Sequence, residues 1–439
     1  MVLMKHPSVR GFVRYAARLA AVGITLLLLV GCRVGALRES FRRPLSPVDA
    51  GYHTNNLLDL HSQADADALG SINDQTRAAE RIRRKPTLEQ MAKRRSVLCL
   101  SGGGSYGAFT AGVLCGWTAR GDRPGVNGRP NFSVVTGIST GALIAPYAFL
   151  GSKYDEEIRR FYTTIDDRDI YRWRPIRGLF SEAIADNTPL ANLIDQSLSP
   201  QIIQEVGDEH RKGRRLYIGT TELESGRFVC WDVGEIAARS GPGDRELIIQ
   251  ILLGSSAIPA FFPPARIPVT VDGRVLVENH GDGGASMPIF FRPPFVSPDE
   301  RSNGSADLAG VDLYVIVAGK LYADARPIRE RSLRIGARSI STLAYAQTRA
   351  ELQRLYLQCV LHGMNYHLAA IPPEYPAPGG SAEFDRAAMN AMFKEGYGLA
   401  AFGEVWRRHP PGAELGESML QRSGTNLNQV PRAPARVQP

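Results

Sequence analysis

A short apolar run that ends in a cluster of glycines most constrains what this chain of 439 residues can fold into. Residues 97–100 are all apolar, and glycine occupies positions 102–104 and then Gly107. A helix-compatible stretch follows over residues 108–117. A buried strand, a tight glycine loop and a helix N-terminus in this order present a row of backbone N–H groups to a negative charge.

The glycine loop also matches the dinucleotide-binding fingerprint GxGxxG, but its context does not fit. That fingerprint needs an acidic residue at the end of a second strand, about twenty residues further on. Asp122 stands near that place, in a loop-like stretch with no strand before it. No Lys-Ser/Thr pair follows Gly107, which excludes a P-loop. Three consecutive glycines are entropically costly, so we expect a functional loop rather than an ordinary turn.

A second motif, GxSxG, consists of Gly137, Ser139 and Gly141 with one residue between each. The apolar run 132–136 predicts a strand before it, and residues 142–150 predict a helix after it. This is the context of a nucleophile elbow, in which a sharp turn strains the serine and only small residues fit on either side. Ser139 is therefore the candidate nucleophile.

A serine hydroxyl needs a base to react at neutral pH, and histidine is the usual one. The candidates are His280, His362 and His367. Only the last two follow an acidic residue in the order typical of α/β-hydrolases, and neither has a flanking motif. We expect His280 to be a loop residue with a local hydrogen bond.

Asp282 is the alternative base. It precedes Gly283 and Gly284 and follows a predicted strand that includes residues 275–277. Glycines around an aspartate allow close approach of another loop. Asp-Gly is also common in ordinary β-turns, which is the alternative interpretation. The two upstream motifs favour the catalytic interpretation.

The ordered trio of glycine loop, Ser139 in GxSxG and Asp282 in DGG resembles the patatin-like phospholipase family. Residues 186–190 and 254–264 are similar to two further stretches of that family. The resemblance covers residues 96–320 and implies an α/β, three-layer patatin-like fold with a mostly parallel central sheet flanked by helices.

The resemblance also implies a Ser–Asp dyad without histidine, metal or other cofactor. Ser139 is then the nucleophile, Asp282 is the base, and Gly102, Gly103 and Gly104 form the oxyanion hole. The remaining motif glycines are Gly107, Gly137, Gly141, Gly283 and Gly284.

One position departs from the family pattern. The family often has Arg or Lys just before the last glycine of the loop, and this chain has Tyr106. The departure leaves the headgroup preference open and does not affect the dyad.

Residues 1–31 have the three parts of an export signal: a basic start, an apolar run and a small residue before Cys32. The end resembles the lipobox of bacterial lipoproteins, which predicts cleavage before Cys32 and lipid attachment to it. An ordinary secretory signal or an uncleaved anchor are the alternatives. Arg33 is not the aspartate that, by resemblance, retains such proteins in the inner membrane. We therefore expect a lipid-anchored protein of the bacterial cell envelope, at the outer rather than the inner membrane.

Composition divides the rest of the chain. We predict a polar linker with a surface helix over 32–95, a patatin-like catalytic core over 96–320, a C-terminal helical part of the same domain over 321–408 and a disordered tail over 409–439.

Several elements are predicted in the core and in the C-terminal part. Two pairs of short strands, 216–220 with 228–231 and 269–271 with 275–277, read as hairpins. A strand over 313–317, a long helix over 333–361, a strand over 366–371 and a helix over 384–402, interrupted at Gly396 and Gly398, complete the pattern.

Charge and cysteine content exclude some functions. The formal net charge is +8, and it falls to +4 without the four basic residues of 1–31, because that segment has no acidic residue. No basic stripe interleaved with aromatics occurs, so no nucleic-acid partner is expected. The five cysteines lack metal-ligand spacing, so no zinc site is expected.

These observations predict a lipid acyl hydrolase of phospholipase A or esterase type that acts on membrane lipids; they do not identify a protein partner. A non-catalytic lipid-binding envelope lipoprotein is one alternative, and an acyltransferase with the same dyad is another. The apolar stretch 258–264 fits an acyl-binding rim as well as core packing.

Overall fold

The computed structural model describes residues 95–123, 125–174, 182–271, 274–291, 308–324, 332–377 and 380–412. It has an α/β fold with a mostly parallel central sheet flanked by helices, as the sequence predicts. The predicted signal peptide, Cys32, most of the linker 32–95 and the tail beyond residue 412 lie outside the described residues.

The strands are β1 (Ser96–Leu100), β2 (Val134–Gly137), β3 (Arg172–Trp173), β4 (Ala185–Asp186), β5 (Arg215–Glu222), β6 (Arg227–Asp232), β7 (Ala265–Val271), β8 (Arg274–Asp282), β9 (Asp312–Val317) and β10 (Asn365–Ala370). The helices are α1 (Gly107–Arg120), α2 (Thr140–Leu150), α3 (Asp155–Thr163), α4 (Asp167–Ile170), α5 (Thr188–Ser197), α6 (Pro200–Arg211), α7 (Val233–Arg239), α8 (Asp244–Ser255), α9 (Ser332–His362) and α10 (Arg386–Phe402).

The main sheet has the order β10-β9-β1-β2-β5-β8-β7, and β6 also pairs with β5. The strands from β10 to β5 pair in parallel, whereas β6, β7 and β8 add antiparallel pairs at one side. Every residue of β1 is buried. An apolar strand buried on both faces is typical of parallel sheets covered by helices. Both predicted hairpins are confirmed as antiparallel pairs.

Strand β5 brings two distant parts of the chain together. It pairs with β6 along residues 217–222, which occupies one of its edges. Strand β2 pairs with residues 215–218, and β8 pairs with residues 220–222, so both must share the other edge. Since β2 runs parallel to β5 and β8 runs antiparallel, their carboxyl ends meet head to head.

The sheet has an apolar cluster on each face. Leu98 and Leu100 face the cluster formed with α1, α2 and α8, whereas Val97 and Cys99 face the cluster formed with α9. This alternation along β1 follows from the two-residue period of a strand. In the described part of the chain, no helix has both the length and the apolar character needed to cross a bilayer.

The predicted interruption of the last helix is wrong, because α10 runs unbroken to Phe402. Gly396 instead lies against the backbone of Phe109 in α1, where a β-carbon would collide with a carbonyl oxygen. Gly112 and Gly116 of α1 face the backbone of α10 in the same way. The glycines therefore let the two helices pack backbone to backbone.

Candidate active site

Ser139 lies in the sharp turn between β2 and α2. Its φ of 53° and ψ of −125° are unusual for a residue other than glycine. The side chain is buried, with 5% of the residue exposed. A strained, buried serine between a parallel strand and a helix has the geometry of a nucleophile elbow.

The two glycines of the motif are required by close backbone contacts. A β-carbon on Gly137 would lie 2.5 Å from the carbonyl oxygen of Gly141. A β-carbon on Gly141 would lie 2.6 Å from the carbonyl oxygens of Leu100 and Ser101. No side chain fits at either position, which explains why the turn is built from GxSxG.

Asp282 is the last residue of β8, and the Ser139 side chain lies close enough to its carboxyl group to lower the pKa of that group. The N–H of Gly284 donates to Asp282 Oδ1 over 2.7 Å. The N–H of Asp282 itself donates to the carbonyl of Ala257 over 2.9 Å. The head-to-head strands thus bring together two residues that lie far apart in the chain.

The environment of Asp282 makes its carboxyl group a better base. Burial raises its pKa from 3.8 to about 6, although the Ser139 side chain and the hydrogen bond from Gly284 oppose this effect. Gly283 lies so close to Gly219 of β5 that a β-carbon would be 2.6 Å from that carbonyl oxygen. A carboxylate with a raised pKa holds a transferred proton more strongly than an ordinary one.

The glycine loop follows β1 and lies beside Ser139. A β-carbon on Gly102 would be 3.1 Å from Ser139 Cβ, and one on Gly103 would collide with the carbonyl oxygen of Ala318. Gly104 has a φ of 53°, and a β-carbon there would collide with the carbonyl oxygen of Ser381.

The loop amides are available to a ligand. Among the described residues, no acceptor takes the N–H groups of Gly102, Gly103 or Gly104. The next two amides are engaged, since Ser105 donates to Ser381 over 2.8 Å and Tyr106 donates to Gly103 over 3.0 Å. Fixed, unpaired donors beside a nucleophile suit a developing oxyanion.

Gly107, at the end of the glycine loop, packs against helix α2, which follows Ser139. A β-carbon there would collide with Thr140 Oγ1 and with the ring of Tyr162. Thr140 and Tyr162 hydrogen-bond to each other through their hydroxyl groups, and both are buried. The loop and α2 are therefore packed at a fixed distance.

Ser255, at the end of α8, is a site residue that the sequence reasoning missed. The N–H of Ser139 donates to Ser255 Oγ over 2.9 Å, and Ser255 Oγ donates to the carbonyl of Gly219 over 2.6 Å. Ser255 is completely buried. The hydroxyl therefore links the strained turn to β5. The available signal was its place in the family-like stretch 254–264, which did not single out this residue.

The histidines have other surroundings. His280 is not a loop residue as predicted: it is buried in β8, where its ring hydrogen-bonds to Thr220 and Glu278. The ring of His367 contacts Asp312 in the sheet. His362 is the last residue of α9.

An apolar pocket begins at Ser139 and Gly104. Helix α2 contributes Leu143, Ile144 and Tyr147 to its wall. The predicted apolar stretch 258–264 contributes Ile258 and Phe262. Its lining is mainly apolar and reaches the serine, which is the chemistry that suits a hydrocarbon chain.

The fold and this site define the class: an α/β protein with a strained serine, a buried carboxylate and an apolar pocket. Residues 98–296 match the model of the patatin-like phospholipase family. This part of the chain is therefore a patatin-like phospholipase domain. No curated protein matches its sequence.

The structure is similar to the crystal structure of VipD from Legionella pneumophila, with 12% sequence identity and a TM-score of 0.32. The match covers 71% of this chain and 67% of that chain.

Proposed function

We propose that this protein is a lipid acyl hydrolase in which Ser139 and Asp282 cleave a carboxylic ester. The family match supports lipid ester hydrolysis in general. The observation that carries the specific proposal is a strained serine next to a buried carboxylate at the end of an apolar pocket.

In the first half of the reaction, Ser139 Oγ attacks the ester carbonyl carbon while its proton passes to the Asp282 carboxylate. The carbonyl oxygen becomes an oxyanion, which accepts hydrogen bonds from the loop amides of Gly102, Gly103 and Gly104. The tetrahedral intermediate then collapses, and the leaving alcohol takes the proton from Asp282. An acyl-serine remains, with its hydrocarbon chain in the pocket.

In the second half, water replaces the alcohol. Asp282 accepts a proton from the attacking water, and the same amides stabilise the second oxyanion. Collapse breaks the acyl–oxygen bond, releases the fatty acid and returns the proton to Ser139. A carboxyl with a pKa of about 6 is mostly ionised at neutral pH, so it starts each cycle as a base.

The test is labelling with a fluorophosphonate probe, combined with release of fatty acid from phospholipid vesicles. We expect the probe to label Ser139, and Ser139→Ala to lower the hydrolysis rate by roughly 10⁴-fold or more. Ser152→Ala changes an exposed serine and serves as the control. Equal activity of wild type and Ser139→Ala would contradict the proposal.

The same experiment separates the alternatives. Labelling of Ser139 without release of fatty acid would favour transfer of the acyl group to an acceptor other than water. Absence of labelling in a folded protein would favour a lipid-binding protein without catalysis. Attachment to the outer membrane through Cys32 remains our proposal from the sequence.

A further inference from the structure

A layer of aromatic rings connects the wall of the apolar pocket to the protein surface. Phe262, which lines the pocket, lies 4.8 Å from Phe261 between ring centroids. Phe261 packs edge-on against Tyr171 at 5.0 Å and Trp173 at 5.4 Å. Trp173 is the outermost ring, with 59% of the residue exposed. We call Tyr171, Trp173, Phe261 and Phe262 the aromatic rim.

The rim begins close to the proposed base. The carbonyl of Ala257 accepts the N–H of Asp282, and Phe261 is only four residues further along the chain. Four residues span at most about 14 Å. The exposed ring of Trp173, in contact with Phe261, is therefore connected to the reacting groups through a short stretch of chain.

The backbone under the rim is held in place. Ala260 has a φ of 65°, a conformation that L-residues adopt rarely and that is typical of ligand-contacting segments. Ile184 donates to the carbonyl of Ala260 over 3.3 Å, and Ala185 donates to that of Phe261 over 3.0 Å. Because β4 also pairs with β3, which carries Trp173, the rings share one rigid support.

Positive charge flanks the exposed ring. Arg172 and Arg174, on either side of Trp173, are exposed. Asp186 forms an ion pair with Arg174 over 2.5 Å and lies opposite Arg172 in the β3–β4 register. Asp186 therefore faces both guanidinium groups, and Asp167 and Glu383 add negative charge near the Tyr171 hydroxyl.

We propose that the aromatic rim docks on a phospholipid bilayer, with Trp173 at the interface and Arg172 and Arg174 at lipid phosphates. Tryptophan prefers the interface because one end of its ring is apolar and the other can hydrogen-bond. Guanidinium groups pair well with phosphate. Docking in this way places the pocket wall against the bilayer, from which an acyl chain can enter. The choice of a lipid partner rests on the proposed function.

The first test measures docking without catalysis. In a Ser139→Ala background, the full chain is mixed with phosphatidylcholine vesicles whose acyl chains carry bromine, which quenches tryptophan fluorescence at short range. We expect quenching that is lost in Trp173→Phe and kept in Trp406→Phe, the matched control, whose half-buried ring packs against Trp117. This readout follows one ring, so an acyl anchor elsewhere does not mask it. Unchanged quenching in Trp173→Phe would overturn the proposal.

The second test separates docking from chemistry. With Trp173→Ala, we expect the apparent KM for phosphatidylcholine vesicles to rise about tenfold, equivalent to 1.4 kcal/mol. The kcat for a soluble short-chain ester stays unchanged, as it does in Phe402→Ala, which alters another exposed aromatic residue. An equal loss on the soluble ester would instead assign Trp173 a structural role. If quenching depends on Trp173 but the protein with Ser139 intact releases no fatty acid, the docking proposal stands and the proposed function is overturned.

Discussion

At the scale of single residues, the N–H of Ser139 depends on one hydroxyl group. In Ser255→Ala this N–H becomes a buried donor without an acceptor, a change that costs about 1–3 kcal/mol. We expect kcat for a soluble ester to fall by roughly 10- to 100-fold with little change in KM, because the elbow loses its fixed geometry. Steady-state kinetics of the purified variant measure both values.

Two further variants distinguish positioning from a general loss of structure. Ser255→Thr keeps the hydroxyl group and is expected to recover much of kcat. Ser256→Ala removes a neighbouring buried hydroxyl that has no hydrogen-bond partner among the described residues, and it is expected to keep most of the activity. If Ser255→Ala and Ser256→Ala behave alike, Ser255 has no positioning role.

Ser139 and Ser255 show which site residues can be predicted from the sequence and which cannot. Ser139 lies in a local motif between a predicted strand and a predicted helix, and Asp282 lies in another motif. The neighbouring residues in the sequence therefore identify both as candidate site residues. Ser255 acts across 116 positions of the chain, and its immediate sequence does not distinguish it from Ser256. His280 was misplaced for a similar reason, because the strand β8 extends further than its apolar residues indicate.

The raised pKa of Asp282 predicts the pH dependence of activity. The proposed base must be ionised to accept the proton of Ser139. We therefore expect kcat/KM for a soluble ester to fall as the pH is lowered through about 6. A pH–rate profile measures this transition. Activity that stays constant well below that pH would argue against Asp282 as the base.

The same shift predicts an effect on stability. Asp282 has a higher pKa in the folded state, about 6, than its ordinary value of 3.8, so its ionised form is destabilising. This cost is absent below pH 3.8, develops as the pH rises to about 6 and is complete above it. Asp282→Asn removes the charge, and we expect it to raise the free energy of unfolding by on the order of 1–3 kcal/mol at pH 8.

Urea unfolding at several pH values tests this effect. The gain of Asp282→Asn is expected to disappear below pH 3.8, where the wild-type carboxyl is neutral in both states. Asp186→Asn provides a control of opposite sign: burial alone would raise the pKa of Asp186, but hydrogen bonds from Thr188 and the charge of Arg174 lower it. A loss of stability in Asp282→Asn at pH 8 would contradict the prediction.

At the scale of elements, helix α2 forms one wall of the apolar pocket. Leu143, Ile144 and Tyr147 line the pocket on one face of the helix, at the spacing expected for neighbouring turns. Tyr147 follows Ser139 by eight positions, a rise of about 12 Å along a helix. Its large ring therefore occupies space on this side of the pocket.

We expect Tyr147→Ala to shift the preference towards longer acyl chains. The ratio of kcat/KM for long over short esters is predicted to rise about tenfold, because each additional buried methylene contributes about 0.8 kcal/mol. A series of nitrophenyl esters of increasing chain length measures the ratio. Tyr154→Ala, which removes a ring packed against Tyr147 but outside the pocket wall, is the control. An unchanged ratio would show that another wall determines the depth.

At the scale of the whole molecule, residues beyond the family match complete the sheet and the glycine loop. The match ends at residue 296, whereas β9 pairs with one edge of β1, and β10 pairs with β9. Ala318 lies against Gly103, and Ser381 accepts the N–H of Ser105. Helix α10 covers α1 through their glycines.

Because residues beyond 296 pair with β1 and contact the glycine loop, the three motifs cannot be transferred to another scaffold without them. A fragment that ends at residue 296 would contain the serine, the aspartate and all the loop glycines. It would lack β9, so one edge of β1 would be unpaired, and it would lack Ser381, which accepts a hydrogen bond from the loop. The smallest portable unit therefore runs through α10, about a hundred residues past the last recognisable motif.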